Sequence, residues 1–299
     1  MKFITGILIS LLGLLAISSC NSGSSSAPTG DSTASTSVDS TAANTGSTAG
    51  FKLGVQMWTF RMFPFTEALD KVDSAQIKYI EAFFGQKLGG GLPGSFGPEM
   101  SADTRTKLKD LLQKKGISIV AMGVISPSNK EEWVKAFDLA KDFGLSYITA
   151  EPKKDQWDLA DSLAGAYGIR IAIHDHPKPN AYATPDSVLA AIKGHNNIGS
   201  CADIGHWARN GINPVDALKQ LEGHVFGAHL KDVVKFDDPK AADTVVGKGV
   251  IDIPAVLAEL KRQNFNGMLS IEHESNWYHN LPDVIVIKKY YDDEVAKLK

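Results

Sequence analysis

The chain has 299 residues, a formal net charge of −3 and two cysteines. An acidic balance of this kind excludes a basic nucleic-acid-binding surface as the main feature, and two cysteines exclude a disulfide framework. Length and apolar content suffice for one large core.

Met1 and Lys2 precede FITGILISLLGLLAISS, an apolar stretch ending in small residues before Cys20. This is the layout of a secretory signal peptide over residues 1–19. Ile17, Ser18, Ser19 and Cys20 resemble the bacterial lipobox, so Cys20 is expected to carry a diacylglyceryl anchor. The protein is then exported and tethered to a bacterial membrane, at the periplasm or cell surface, through that lipid only. Residues 20–50 are almost entirely Ser, Thr, Ala, Gly and Asn. Such a segment has too little apolar surface to offset its ordering entropy and is expected to be a flexible linker. The folded domain is placed at 51–299, close to the ~250 residues of an eightfold βα barrel.

Apolar runs of strand length alternate with amphipathic segments throughout that domain, the pattern of parallel βα units. Strands are expected at 53–58, 78–83, 117–124, 146–151, 169–174, 198–203, 225–230 and 268–273. A Gly-rich loop is expected from Gly85 to Gly97, and Gly116 and Gly144 read as helix stops. Thr184 with Pro185 and Asn213 with Pro214 read as helix starts. Eight units close a barrel, so the fold class is α/β, a (β/α)8 TIM barrel. Cys201, within an apolar run, reads as a buried small hydrophobe.

Side chains alternate faces along a strand. Ile169, Ile171 and Ile173 therefore face the helices, and Arg170, Ala172 and His174 face the lumen. The same split puts Glu81, Glu151, His229, Lys231 and Glu272 on the lumen side, at strand ends where barrel enzymes gather their chemistry. Asp203 and His206 close the sixth strand. Glu151, Asp203, His229 and Glu272 together give three carboxylates and one imidazole. This set suits a divalent ion with five or six ligands, Mn²⁺ first, with Mg²⁺, Co²⁺ or Zn²⁺ as alternatives.

DIGH at the end of the sixth strand, HLKD in the seventh, the GKGVID turn and SIEHE in the eighth resemble the xylose-isomerase-like barrel superfamily, within its sugar isomerase and epimerase branch. The resemblance extends from GVQMWTF to Glu272. It implies metal ligation by Glu151, Asp203, His229 and Glu272, with Glu151 and Glu272 exchanging protons with substrate from opposite faces. It also implies substrate contacts from His206 and, by likeness to relatives with HxH in strand five, from His176 and His174. Ketose epimerases of this group carry an arginine six residues after the strand-seven histidine, where this chain has Lys235. Lys231 instead resembles the lysine of HxKD relatives, which include dehydratases and lyases.

The chemistry expected is removal of a proton beside a carbonyl, with a metal stabilising the resulting charge. Returning the proton from the other face epimerises the carbon; expelling a neighbouring oxygen makes a lyase or dehydratase. Glu81 and Lys231 are expected near the substrate, and Trp58, Phe84 or Trp207 to stack on a sugar ring. Export and the lack of a phosphate-cradling loop favour an unphosphorylated sugar or keto-sugar. A non-catalytic sugar-binding lipoprotein is expected to lack one of the two glutamates, and a DNA-repair barrel with several zincs is opposed by acidic charge and export. The oligomeric state is not set by the sequence.

Overall fold

The computed structural model describes residues 52–298. The expected signal peptide, Cys20 and linker lie outside them. Eight parallel strands close a barrel: β1 (Lys52–Gln56), β2 (Tyr79–Ala82), β3 (Ser118–Ile125), β4 (Tyr147–Ala150), β5 (Arg170–His174), β6 (Ile198–Asp203), β7 (Val225–Leu230) and β8 (Met268–Ile271). Each pairs with its neighbour in sequence, and β8 returns to β1 with Lys52 opposite Met268. Every expected strand is found, most of them trimmed by a residue or two at the ends.

Helices α1 (Phe65–Ser74), α2 (Ala102–Lys115), α3 (Lys130–Phe143), α4 (Trp157–Tyr167) and α5 (Pro185–Ile192) follow the first five strands. α1 shows how they bind to the barrel. Phe65, Ala68, Leu69 and Val72 recur at helical spacing and are all buried, so one apolar stripe faces the sheet. Gly116 and Gly144 stop α2 and α3 in the left-handed conformation, at φ +61° and +69°, which only glycine adopts at little cost. Thr184 caps α5 through a reciprocal capping box with Ser187, an arrangement worth about 1 kcal/mol.

Three segments depart from the expected pattern. The first strand stops at Gln56, because Met57–Phe60 turns into a 3-10 helix capped by the Gln56 side chain. The loop expected over 85–97 contains a hairpin, Lys87–Gly89 with Leu92–Ser95. Asp203 leads not into a loop but directly into α6 (Ile204–Arg209), followed by α7 (Pro214–Gln220), α8 (Ile253–Arg262) and α9 (Leu281–Val295).

After β7 the chain forms a ribbon of Asp232–Val233 against Asp243–Thr244. Asp232 anchors the glycine-rich turn beyond it: Oδ2 accepts the N–H groups of Gly247 (3.0 Å) and Gly249 (2.9 Å), and Oδ1 that of Ile251 (3.2 Å). A Cβ on Gly249 would stand 2.1 Å from Asp232 Oδ1. HLKD and GKGVID are thus two halves of one structural clamp. Among the described residues, no helix is long and apolar enough to cross a membrane.

Candidate active site

A cavity of about 570 Å³ opens at the C-terminal ends of the strands. Trp58, Phe83 and Phe84 form one wall, and His174, His176, His206, Glu272 and Glu274 line the polar side. Trp58 and Phe83 meet edge to face, with ring centroids 5.2 Å apart, and Trp58 is 38% exposed.

The polar side is built around Asp203. Its Oδ1 caps α6 by accepting the N–H groups of Gly205 and His206, each at 2.9 Å. Oδ2 is buried and has no hydrogen bond. Four nitrogens surround it: Lys231 Nζ at 3.3 Å, His206 Nε2 at 3.6 Å, and His174 Nε2 and His229 Nδ1 at 3.7 Å. Burial pushes the Asp203 carboxyl up, but the neighbouring His206, the positive charge of Lys231 and the contacts of His174 and His229 hold it well below the usual range. Its N–H donates to Asp175 Oδ1 at 2.8 Å. Asp175 goes the opposite way: burial, then the Asp203 charge, raises it well above a normal carboxyl.

His229 is held from below. Its Nε2 lies 3.0 Å from Glu81 Oε2, which also accepts the Ser270 hydroxyl at 3.0 Å. Burial opposes ionisation of Glu81, yet His229 and its hydrogen bonds keep it a carboxylate. As an acceptor Glu81 takes the Nε2–H, so Nδ1 is turned toward Glu272 Oε2 (3.0 Å) and His174 Nε2 (3.1 Å). This is the carboxylate–imidazole pairing that orients metal-binding histidines.

One donor atom from each of His174, Asp203, His229 and Glu272 lies within 4.8 Å of the others, and all four residues are buried. A divalent ion fits this set. Asp203 Oδ2 is left without a hydrogen bond, and two imidazoles with two carboxylates suit first-row transition ions.

Lys231 brings a second cation to the same carboxylates. It is 1% exposed, and its ammonium lies 3.0 Å from Glu272 Oε2 and 2.7 Å from Glu274 Oε1. Burial lowers its pKa, but the charges of Asp203, Glu272 and Glu274 raise it well above the ordinary lysine value. Glu274 is driven down to about 2, because the charge and hydrogen bond of Lys231 outweigh its burial. Its Oε2 accepts Trp58 Nε1–H at 3.2 Å, which ties the aromatic wall to the ionic side. Arg209 pairs with Asp243 and donates to His206 Nδ1 at 3.0 Å. The His206 Nε2 therefore carries the ring proton. Burial holds this imidazole well below its usual pKa, against the pull of Asp203.

Glu151, a metal ligand in the sequence reading, groups with His174 and His176 and not with Asp203, His229 and Glu272. Glu151 Oε1 is bonded to His176 Nδ1 and lies 3.7 Å from His174 Nδ1, and Oε2 accepts Asn180 Nδ2–H at 3.0 Å. Burial works against its charge, but His174 and His176 keep it strongly ionised. His174 rises to about 9, since Asp203 and Glu151 outweigh its burial.

Glu81 and Lys231, expected at the substrate, are buried outside the cavity lining; Glu81 Oε2 bonds His229 and Ser270, and Lys231 pairs with three carboxylates. Trp207 is fully buried, because α6 turns it into the core. Lys235 is paired with Asp238 and largely exposed, outside the cavity lining. Trp58, Phe84, His174, His176, His206 and Glu272 line the cavity. Asp175, Arg209, Asp243 and Glu274 were not read from the sequence. Glu274 had a signal, since it continues the lumen parity of Ser270 and Glu272.

The sequence matches the xylose isomerase-like TIM barrel family over residues 69–289. It is similar to an inosose isomerase of Bacillus velezensis, 27% identical over 180 residues, covering 52% of this chain and 64% of that protein. It is also similar to an inosose dehydratase of Clostridium botulinum, 28% identical over 145 residues, covering 41% of this chain and 49% of that protein. These alignments thus span about half to two thirds of the curated relatives. A crystal structure of an uncharacterised protein from Parabacteroides distasonis superposes with a TM-score of 0.68 at 36% identity, covering 82% of this chain and 99% of the other. By the family match over residues 69–289, and by its closed eight-stranded barrel, the chain belongs to the xylose isomerase-like TIM barrel family.

Proposed function

We propose that the protein is a divalent-metal-dependent isomerase or epimerase of an unphosphorylated sugar or keto-sugar, acting by proton transfer at the carbon beside a carbonyl. One observation carries this reading: four strand ends bring His174, Asp203, His229 and Glu272 to a single point under the cavity. When bound there, a divalent ion supplies Lewis acidity to a carbonyl oxygen and its neighbouring hydroxyl.

The remaining work falls to side chains. Glu151, kept ionised and steadied by His176 and Asn180, is the base on one face. Glu272 returns or removes the proton on the other. His206, neutral with its proton on Nε2, donates to a substrate hydroxyl. Lys231 keeps Asp203 charged and pairs with Glu272 rather than touching substrate. Trp58 and Phe83 cover the ring face and limit water access.

A second reading, a lyase or dehydratase, is favoured by one feature. His176 and His206 both border the cavity, with ring centroids 4.9 Å apart, and supply proton donors for a departing oxygen beyond the two carboxylates that epimerisation needs. The relatives named inosose isomerase and inosose dehydratase carry both reactions, and the two diverge after the same first proton removal.

Incubating the protein with a mixed pool of keto-sugars and keto-inositols in D₂O, with and without Mn²⁺, tests the reading by mass spectrometry. Ion-dependent gain of one deuterium without loss of water supports the isomerase. Loss of water supports the dehydratase. Sugar binding with no exchange leaves a carbohydrate-binding protein, and turnover of phosphorylated ketoses alone refutes the unphosphorylated substrate. We also propose export and anchoring through a lipid on Cys20, which rests on the lipobox-like residues before it. Membrane association that survives Cys20→Ala refutes the anchor.

A further inference from the structure

We infer that the cavity continues past Phe84 into a second binding site, and that the substrate is a two-ring glycoside whose reacting sugar lies over the quartet while a neutral second ring lies beside Phe84. This rests on the function proposed above and adds the class of substrate.

Phe84 is the shared element. It lines the cavity over the quartet and also a neighbouring hollow of about 450 Å³, walled by the Gly85–Gly97 loop and the residues that lead into α2. The first cavity, at about 570 Å³, is already of a size that encloses a drug-sized ligand, more than one sugar ring fills. Phe84 is half-buried and fixed from behind. Its ring centroid lies 6.3 Å from that of Phe96, which is buried and stacked on Phe65 at 5.3 Å.

Gly97 shows that the hollow is kept open. Among the described glycines, it alone has neither a positive φ nor an atom within 4 Å of the place its Cβ would take. It is nevertheless buried. Neither the backbone conformation nor close packing calls for glycine here, and glycine costs chain entropy on folding. What the missing side chain leaves is room in the hollow that Gly97 lines.

The lining fits a neutral ring. Phe84 and Phe96 offer apolar faces to the C–H side of a ring, and the Ser95 hydroxyl and Glu99 carboxylate can take hydroxyls at its edge. No lysine or arginine lines the hollow, and its one charged member is acidic, so a phosphate or carboxylate there would meet repulsion without a cation. Binding energy gained on a second ring, remote from the reacting carbon, can be used to orient the first.

The test is calorimetric titration of the full chain, loaded with Mn²⁺, against keto derivatives of maltose, cellobiose, lactose and sucrose and of nitrophenyl glucosides and galactosides. Keto derivatives of the methyl glycosides are the one-ring controls. The two-ring probes are expected to bind about 10-fold or more tighter than the controls, and this ratio is expected to fall toward one in Gly97→Leu and in Ser95→Trp, which fill the hollow from two sides. Circular dichroism checks that each variant folds, and should Gly97→Leu not fold, Ser95→Trp decides. A gain confined to disaccharides makes the second ring a sugar, and one confined to nitrophenyl glycosides makes it an aromatic aglycone; both support the site. Equal affinity for one and two rings in wild type, no binding of any two-ring probe, or a preference that survives in the folded variants overturns it. Deuterium exchange into the same probes separates the two claims. Exchange into the methyl keto-glycosides without a two-ring gain leaves the proposed function standing and removes this site. A two-ring gain lost in the variants, with no exchange into any probe, supports this site and refutes the isomerase.

Discussion

The floor and the rim of the barrel lumen are built by the same strands, two residues apart, and burial has opposite consequences in them. On the floor, Ala121, Tyr147, Ala172, Cys201 and Met268 pack into a small apolar cluster of their own. Gly227 leaves room for the Tyr147 phenol, since a Cβ there would stand 2.4 Å from its oxygen. Burial raises the Tyr147 pKa and pushes the Cys201 thiol up to about 12, so both stay neutral. One step along, Ala172 gives way to His174 and Cys201 to Asp203, while Met268 leads through Ser270 to Glu272. Burial is as deep at His174, Asp203 and Lys231, yet these groups are held charged, because each meets partners of opposite sign. Desolvation neutralises an isolated group and is overruled within a complementary cluster. Such a cluster, with one carboxylate oxygen left without a hydrogen bond, could hold a metal ion.

The largest effect that breaks this contrast is expected on the rim. Glu272→Gln is predicted to lower ion-dependent proton exchange by ~10²–10⁴-fold, the range for losing a general acid or base, with the fold retained by circular dichroism. On the floor, Met268→Ala is predicted to destabilise the barrel by about 2–5 kcal/mol in urea unfolding, while calorimetry finds the divalent ion still bound. Glu81 joins the two layers: Glu81→Gln is predicted to weaken ion binding by ~10–100-fold through the loosened His229, measured by the same titration.

The smallest effect is a pH dependence at Glu274. Its pKa falls from 4.5 to about 2 on folding, so the folded state favours the carboxylate. The stability it contributes is complete above about pH 4.5 and is lost as pH falls toward 2. The advantage of wild type over Glu274→Gln in urea unfolding is therefore predicted to shrink between pH 5 and pH 3. An advantage that grows on acidification contradicts the pairing with Lys231.

The barrel was legible because each strand announces itself by alternation and each helix by its caps. Thr184 and Asn213 mark helix starts where the sequence puts them. The lumen side of His174, His229, Lys231 and Glu272 followed from parity alone. Parity gives the face but not the depth, which is why Lys231 and Glu81 were expected at the substrate and are buried outside the cavity lining. It also says nothing of rotamer, which decides that Glu151 turns to His176 while His174 turns to the quartet. Arg209 and Asp243 were hidden for a different reason. They reach the site from α6 and from the ribbon through a long-range ion pair, and no local periodicity encodes such a contact. The cap made by Asp203 conceals α6 in the same way, since an Asp before Ile-Gly-His reads equally well as a strand end.

The most direct measurement of the central claim is anomalous diffraction from a crystal grown with Mn²⁺. The account predicts a manganese peak bounded by Asp203 Oδ2, His229 Nδ1 and Glu272, with Lys231 still beside the two carboxylates. Manganese absent from that position, with Lys231 as the sole cation of the cluster, would contradict it.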